Sequence, residues 1–274
     1  GTHTNTTYNT NTNLINLSSN QTSGNYISDI KDATVSATWS TLAWMPNRPT
    51  NKALPNNGAT ETDYPTGNAN MTGNLLLLHL DSNWQDTSGV GNNGTANNIT
   101  YGDGKFGQAA MFDITKNSSS SVGAVNLSNT NKVSISFWVK VNSFPTAANI
   151  PALIFEVSPN YNHRTDSFVM SLNSGKKLNI SLKGNVYYCN WIADNVLQSN
   201  VWYHVAAILD KSLSTQECMM YINGTKTTGT NLGYNGNNTN NFGNQPVYFG
   251  ARKQPINDPT PYYFDGWLDD VAFF

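Results

Sequence analysis

Few residues of this chain have the types and spacing that catalysis requires. Glycoside hydrolysis needs two carboxylates that flank the scissile bond, but the chain contains only three glutamates, Glu61, Glu156 and Glu217, which are widely separated. The sequence also lacks a Gly-x-Ser-x-Gly turn that would present a nucleophilic serine. We therefore predict that the protein is not an enzyme.

A polysaccharide lyase would need an acid–base pair, such as His/Tyr or Lys/Tyr, above a sheet. Tyr161, His163, Arg164 and Tyr187 are the candidates, but no spacing motif links them. A polar loop is the simpler interpretation of Tyr161 to Arg164. His204 lies in a predicted strand, which favours a packed histidine over a catalytic one.

Sugar binding makes a different demand, because the CH faces of sugars stack on aromatic rings and planar amides bridge neighbouring hydroxyls. The aromatic candidates for such a platform are Trp84, Tyr161, Tyr188, Trp191, Tyr234, Phe242, Tyr262 and Tyr263. The predicted ligand-binding residues are Trp84, Tyr161, His163, Arg164, Tyr188 and Trp191. Core packing is the alternative for each ring, since most large aromatic residues of a β-protein are buried.

Composition limits the classes of partner. The net charge of the 274-residue chain is -2 and only 12% of its residues are charged, so it has no basic field for nucleic acid. Its apolar runs are far shorter than the ~20 residues of a membrane span. The chain begins with Gly1-Thr2-His3 rather than Met, which we interpret as a mature or trimmed form. These features favour a secreted or cell-surface protein.

Cys189 and Cys218 are the two cysteines, and no Cys-x-x-Cys motif is present. Both lie in strand-like segments. A mutual disulfide is our prediction and a pair of free buried thiols is the alternative. The disulfide would indicate an oxidising compartment.

Asn-x-Ser/Thr sequons are frequent, and they predict N-glycosylation. A chain so rich in Asn, Thr and Ser also produces many sequons by chance. The eleven predicted glycosylation sites are Asn5, Asn16, Asn20, Asn70, Asn93, Asn98, Asn117, Asn126, Asn179, Asn223 and Asn237.

The chain divides into three predicted parts. Residues 1–23 form an arm of Thr, Asn and Ser that has too few apolar residues for a core of its own. Residues 24–73 form a short preamble with strands at Asn25–Ser28 and Thr38–Trp44, followed by a proline-rich loop. Residues 74–274 form the main domain.

Short β-type runs separated by turn residues recur along residues 74–274, without convincing helical periodicity. In the run Val133–Val141, apolar odd-numbered residues alternate with mostly polar even-numbered ones, which predicts a half-buried strand. Asn223-Gly224 predicts a type I′ hairpin. The predicted strands are Leu75–Leu80, Ala109–Phe112, Val133–Val141, Ala152–Val157, Phe168–Leu172, Leu178–Leu182, Val186–Ile192, Val201–Leu209, Cys218–Ile222, Val247–Phe249 and Tyr263–Phe273.

The order of these segments resembles a laminin G-like, concanavalin A-like domain over residues 74–274. The resemblance rests on the opening Asn74-Leu-Leu-Leu-Leu-His-Leu-Asp81, on Ser134-Ile-Ser-Phe-Trp-Val-Lys140, on Trp202-Tyr-His-Val-Ala206, on Tyr221-Ile-Asn-Gly224 and on the closing Phe264-Asp-Gly-Trp-Leu-Asp-Asp-Val271. It implies an all-β jelly-roll sandwich of two antiparallel sheets, preceded here by an extended arm and a short β preamble. The glucanase motif of this fold, Glu-x-Asp-x-x-Glu, is absent, because Glu61-Thr-Asp63 lacks the second glutamate and lies outside the domain.

The resemblance also implies structural calcium. Hard cations prefer carboxylate, amide and backbone oxygens from loops. We expect Asp86 and Asp269 as ligands, with Asn92 and Asp113 as weaker candidates. Turn capping is the alternative for all four residues.

Two non-catalytic functions remain. Our first expectation is a structural or adhesive subunit of a surface assembly, such as a pilus, filament or sheath, in which residues 1–22 drive self-association and segment Asn9 to Asn20 adds a strand to the next subunit. The alternative is a lectin-like module of an adhesin or secreted enzyme that binds surface glycans or polysaccharide.

Overall fold

The structure, a computed structural model, contains two compact units, Gly1–Pro46 and Asn47–Phe274. It describes residues 2–9, 14–19, 24–27, 52–64, 67–148, 150–158, 167–183, 187–214, 217–232, 239–252 and 262–274. Within these residues the secondary structure is β, apart from a short 3-10 helix at Ile114–Lys116. The all-β prediction is therefore confirmed.

The first unit consists of short antiparallel strands, β1 (Thr2–Thr4), β2 (Thr6–Asn9), β3 (Leu14–Leu17) and β4 (Asn25–Ile27). Strand β1 pairs with β4, and β2 pairs with β3. The proposed donor segment, Asn9 to Asn20, thus contains a strand that pairs within its own arm. Self-association through residues 1–22 stays a prediction, and the predicted strand Thr38–Trp44 lies outside the described residues.

The second unit is a sandwich of two eight-stranded sheets. The strands of this unit are β5 (Thr60–Tyr64), β6 (Gly67–Asn70), β7 (Leu76–Leu78), β8 (Gly94–Asn97), β9 (Thr100–Asp103), β10 (Gln108–Phe112), β11 (Ser119–Asn126), β12 (Lys132–Val141), β13 (Ala152–Val157), β14 (Ser167–Leu172), β15 (Leu178–Lys183), β16 (Tyr187–Ala193), β17 (Trp202–Asp210), β18 (Cys218–Ile222), β19 (Thr225–Lys226), β20 (Gly229–Asn231), β21 (Asn244–Phe249) and β22 (Gly266–Phe273).

Sheet 1 has the order β19-β18-β17-β12-β22-β10-β9, with β7 also paired to β22. Sheet 2 has the order β20-β16-β15-β14-β13-β21-β11-β8. Strands β5 and β6 form a separate two-stranded ribbon. The pairings in both sheets are antiparallel, which matches the jelly-roll sandwich expected from the resemblance.

In the longer strands, the apolar face points between the sheets. In β12 the odd residues from Val133 to Val141 are buried, as their alternation predicted. Phe155 of sheet 2 packs edge-on against Phe137 of sheet 1, with their ring centroids 5.7 Å apart. Each fully buried side chain of this kind contributes roughly 1.5–3 kcal/mol. Burial of this face therefore holds the two sheets together.

A tight turn connects β18 to β19, the edge strand of sheet 1. Asn223 and Gly224 have φ angles of 50° and 78°, and they connect β18 to β19. Positive φ at both central residues is what a type I′ turn requires. The predicted hairpin therefore forms at the predicted residues.

Some strands were not predicted, and β11 is the clearest case. Its Ser119–Ser121 segment carries no apolar signal, but Ser120 is buried and its hydroxyl donates to the Thr95 carbonyl at 2.9 Å. Because the neighbouring strand β8 supplies a hydrogen-bond acceptor for the buried Ser120 hydroxyl, β11 forms without apolar alternation in this segment.

The two compact units divide between residues 46 and 47. Buried Met71, Leu77 and Ala272 form a small second core, and Leu54 packs against it. The Leu54 amide also donates to Asp270 Oδ2 at 2.9 Å. The latter part of the preamble therefore folds as part of the sandwich unit.

A disulfide joins Cys189 in β16 to Cys218 in β18, with the Cα atoms 6.0 Å apart. The two cysteines thus form the predicted mutual disulfide rather than remaining free buried thiols. Because β16 lies in sheet 2 and β18 in sheet 1, the bond links the two sheets. None of the described residues belongs to a helix long and apolar enough to cross a membrane.

Candidate functional site

Trp84, one of the predicted ligand-binding rings, belongs to the core. It is only 4% exposed, and its ring centroid lies 5.3 Å from that of Phe249 and 6.1 Å from that of Phe112. A buried ring offers no free face to a sugar. Trp84 is therefore removed from the predicted ligand-binding set, and Phe242, which is 2% exposed, is removed from the wider list of aromatic candidates for the same reason.

Trp191 is half-buried in β16. Its Nε1 donates to Thr227 Oγ1 at 3.1 Å, and the ring rests on Gly229, where an added Cβ would lie 2.9 Å from the ring. One face of the indole is thus engaged by β20. Tyr188 lies in β16, and Tyr161, His163, Arg164 and Tyr234 lie outside the described residues.

The Asp86 carboxylate serves as an internal loop anchor. Its Oδ1 accepts from the amides of Leu77 and Ser88, at 3.0 and 2.9 Å, and its Oδ2 accepts from those of Gly91 and Asn92, at 3.0 and 2.7 Å. Burial alone would raise the pKa of Asp86, but these backbone donors lower it overall. The four bonds use the acceptor sites that a cation would need.

The other predicted calcium ligands have separate tasks. Asp269 Oδ2 accepts from the amides of Lys105 and Phe106, at 2.6 and 2.9 Å. Asp113 caps the 3-10 helix through the Thr115 amide, and the Asn92 side chain donates to the Leu75 carbonyl. No group of three or more His, Cys, Asp or Glu side chains in the described part of the chain could hold a metal ion. These residues do not fit one calcium ligand set, and calcium binding stays a prediction.

Several sequon asparagines already use their side chains. Asn98 Nδ2 donates to the Lys116 carbonyl at 2.8 Å, and the Oδ1 atoms of Asn93 and Asn223 accept from the amides of Asp86 and His204. Asn70, Asn117 and Asn126 are exposed. Asn20 and Asn237 lie outside the described residues, and glycosylation stays a prediction at every sequon.

A serine–histidine pair lies on the outward face of sheet 1. Ser136 Oγ and His204 Nε2 are 2.9 Å apart, and burial lowers the pKa of His204. A hydrolytic triad would need a carboxylate that orients this histidine. The Asp270 carboxylate bonds instead to His79 Nδ1, at 2.5 Å, and to the Leu54 amide. The pair therefore lacks the bond to Asp270 that would complete a triad.

A groove of about 470 Å³ lies among the described residues of this unit. It lies between the connection from β12 to β13 and the segment that precedes β22. Its volume falls in the ~300–1,000 Å³ range of small-ligand sites. The lining residues are Ile114, Ser143, Phe144, Pro145, Thr146, Ala147, Ile150, Pro151, Ala152, Tyr262, Tyr263 and Asp265.

The groove combines aromatic rings with an oriented carboxylate. Tyr262, Tyr263 and Phe144 supply the rings. Asp265 accepts a hydrogen bond from the Ser143 hydroxyl, and its backbone carbonyl accepts from the Asn142 amide at 3.0 Å. These bonds hold the acceptor in place at the groove wall.

Tyr262 has an unusual backbone. Its φ is 55°, which is rare for a bulky residue and is often found where function imposes a conformation. The Leu153 amide fixes it by donating to the Tyr262 carbonyl at 2.9 Å. Arg252 lies 4.9 Å from the tyrosine ring, and its Nε donates to Glu156 Oε2 at 3.1 Å. The ring is therefore held by a buried ion pair before any ligand arrives.

The sequence pointed to only part of this groove. Tyr262 and Tyr263 were among the aromatic candidates, whereas Ser143, Phe144 and Asp265 were not singled out. The signal that could have found Phe144 is its place in the Ser-Phe-Pro-Thr loop directly after a strongly predicted strand.

The comparisons with known proteins agree with this fold. The family Laminin_G_3, described as the concanavalin A-like lectin/glucanases superfamily, matches residues 114–274. No curated protein sequence matches the chain at a significant level.

Several solved structures share the fold. The binding domain of Paraclostridial mosquitocidal protein 1 is 21% identical with a TM-score of 0.52, and that of botulinum neurotoxin serotype D is 17% identical with a TM-score of 0.53; each match covers 73% of this chain and 48% of the other. The binding domain of botulinum neurotoxin DC in complex with SialylT is 18% identical, with a TM-score of 0.50 and coverage of 74% and 47%. The matches thus span about half the length of each of these structures, and at such identities they show the fold alone.

Proposed function

Because the chain belongs to the concanavalin A-like lectin/glucanases superfamily, we propose that it is a non-catalytic, extracellular carbohydrate-binding module whose groove at Tyr262 and Tyr263 holds a saccharide. The observation that carries the proposal is the groove itself, which is lined by aromatic rings and by an anchored carboxylate. Sugar CH groups pack on aromatic faces, and a carboxylate accepts from vicinal hydroxyls.

Two further points support binding over assembly. A botulinum neurotoxin binding domain of the same fold was solved in complex with SialylT. By contrast, the strands of the described N-terminal arm pair with each other, and no observation on the described residues favours a filament subunit. Glycan binding, the alternative from the sequence analysis, therefore replaces the structural subunit of a surface assembly as our preferred function.

Replacing Tyr263 with alanine is expected to weaken glycan binding by about tenfold or more, which corresponds to roughly 1.4 kcal/mol. The loss follows from removal of one ring face from the groove. A glycan array of neutral and sialylated structures would first identify a ligand, and calorimetric titration would then compare the wild type with Tyr263→Ala and Asp265→Asn.

Tyr221→Ala is the matched control, because Tyr221 is a half-buried strand tyrosine that does not line the groove. The proposal fails if the array shows no binding above background, or if Tyr263→Ala and Tyr221→Ala bind equally well. Repeating the array with a calcium chelator would also test the calcium prediction.

A further inference from the structure

A row of two tryptophans and one lysine crosses the outward face of sheet 1. Lys140 of β12 is the direct Cα partner of Trp202 in β17 on one side and of Trp267 in β22 on the other. Its Nζ lies 4.9 Å from the ring centroid of Trp202 and 4.7 Å from that of Trp267. All three side chains are half-buried. This Trp202–Lys140–Trp267 row is separate from the residues that line the groove.

The Trp267 ring extends along the sheet. Trp267 pairs with Met111 of β10, yet its ring reaches over Gly102 of β9, the next strand, where an added Cβ would lie 2.8 Å from Cη2. Because neighbouring strands are about 4.8 Å apart, only a ring that extends across β10 can reach this position. Gly102 leaves room for the ring at this position.

The charge of Lys140 has no carboxylate partner among the described residues. Lys132, on the same face of the same strand, pairs with Asp210 at 3.1 Å, whereas the described ion pairs include none for Lys140. Cation–π contact with two rings positions the ammonium group. Its positive charge stays uncompensated and favours an anionic ligand.

We propose that the Trp202–Lys140–Trp267 row is a second carbohydrate site that binds a carboxylate-bearing polysaccharide. The two tryptophans stand on strands separated by two spacings, about 10 Å, and they stack on successive parts of an extended sugar chain. The uronic-acid carboxylate forms a charge-assisted hydrogen bond with Lys140 between them. A single cation suits a chain with sparse charge better than a densely sulfated one.

The test measures the binding of the full chain, in solution at physiological salt, to three immobilised polysaccharides: hyaluronan, dextran sulfate and neutral dextran. We expect binding to hyaluronan, weaker binding to dextran sulfate and none to dextran. Lys140→Gln and Trp202→Ala are each expected to lower the affinity for hyaluronan by about tenfold. Lys140→Arg should retain most of the affinity for hyaluronan, because arginine keeps the positive charge.

Lys132→Gln is the matched control, since it removes one positive charge from the same face and the same strand. Equal losses for Lys140→Gln and Lys132→Gln would overturn the proposal, because they would indicate attraction by net charge alone. Absence of hyaluronan binding by the wild type, or preference for dextran sulfate over hyaluronan, would also overturn it. Circular dichroism of Trp202→Ala checks its folding, and Lys140→Gln tests the site without loss of a large ring.

Discussion

Replacing Asp86 with alanine is expected to lower the free energy of unfolding by about 3–5 kcal/mol. The carboxylate accepts four backbone N–H groups, two at each oxygen. Hydrogen bonds to a charged group contribute roughly 1.5–3 kcal/mol each, and they are not additive within one cluster. Alanine would leave these four amides without their acceptor, and two of them belong to the buried residues Leu77 and Ser88.

Urea denaturation, followed by tryptophan fluorescence, measures this change. The free energy of unfolding of Asp86→Asn should lie between those of the wild type and the alanine variant. One acceptor oxygen remains in asparagine, but its new NH2 group is a donor and cannot accept from the other two N–H groups. Asp103→Ala is the control, since Asp103 is exposed at the end of β9, and it should change stability by no more than about 0.5 kcal/mol. A loss below about 1 kcal/mol for Asp86→Ala would contradict the assigned role.

The second large effect is a dependence of stability on pH that arises from Asp269. Burial, together with the charges of Asp270 and Asp81, raises the pKa of this carboxyl from 3.8 to about 7, although the amides of Phe106 and Lys105 oppose the shift. The folded protein therefore holds this proton more tightly than the unfolded chain. The resulting stability is complete below pH 3.8 and is lost as the pH rises through about 7.

Asp269→Asn removes this titration but keeps an oxygen that can accept from the two amides. Each unit of pKa shift corresponds to about 1.4 kcal/mol. The free energy of unfolding of the variant, relative to the wild type, is therefore expected to rise by about 3–4 kcal/mol between pH 4 and pH 8. Denaturation curves at several pH values would show this divergence. Asp103→Asn is the control for loss of one carboxylate, and a stability curve of Asp269→Asn that runs parallel to that of the wild type would contradict the raised pKa.

Local sequence patterns predicted much of the fold, because strand alternation and turn geometry depend on residues that are neighbours in the chain. The alternation of Val133–Val141 places one face of β12 in the core, and Asn223-Gly224 supplies the positive φ angles of its turn. Strand β11 was missed, because its Ser119–Ser121 segment forms a strand only beside partners such as Thr95.

The candidate site was harder to predict, because burial and bonding depend on residues far apart in the chain. Nothing in the local sequence distinguishes Trp84, a core ring, from Tyr263, a groove ring. Asp86 looked suited to calcium, since a Gly- and Asn-rich loop follows it, but the fold aims the amides of that loop at the carboxylate.

The sequence by itself determined the all-β class, the family resemblance and the low charge, because composition, alternation and the order of short motifs are written along the chain. Only the tertiary structure decided which polar and aromatic groups are accessible. Phe144 meets Tyr262 and Tyr263 at the groove, and Lys140 meets Trp202 and Trp267 on sheet 1, only after long-range strand pairing. Both candidate sites are thus products of strand register, which no single segment specifies.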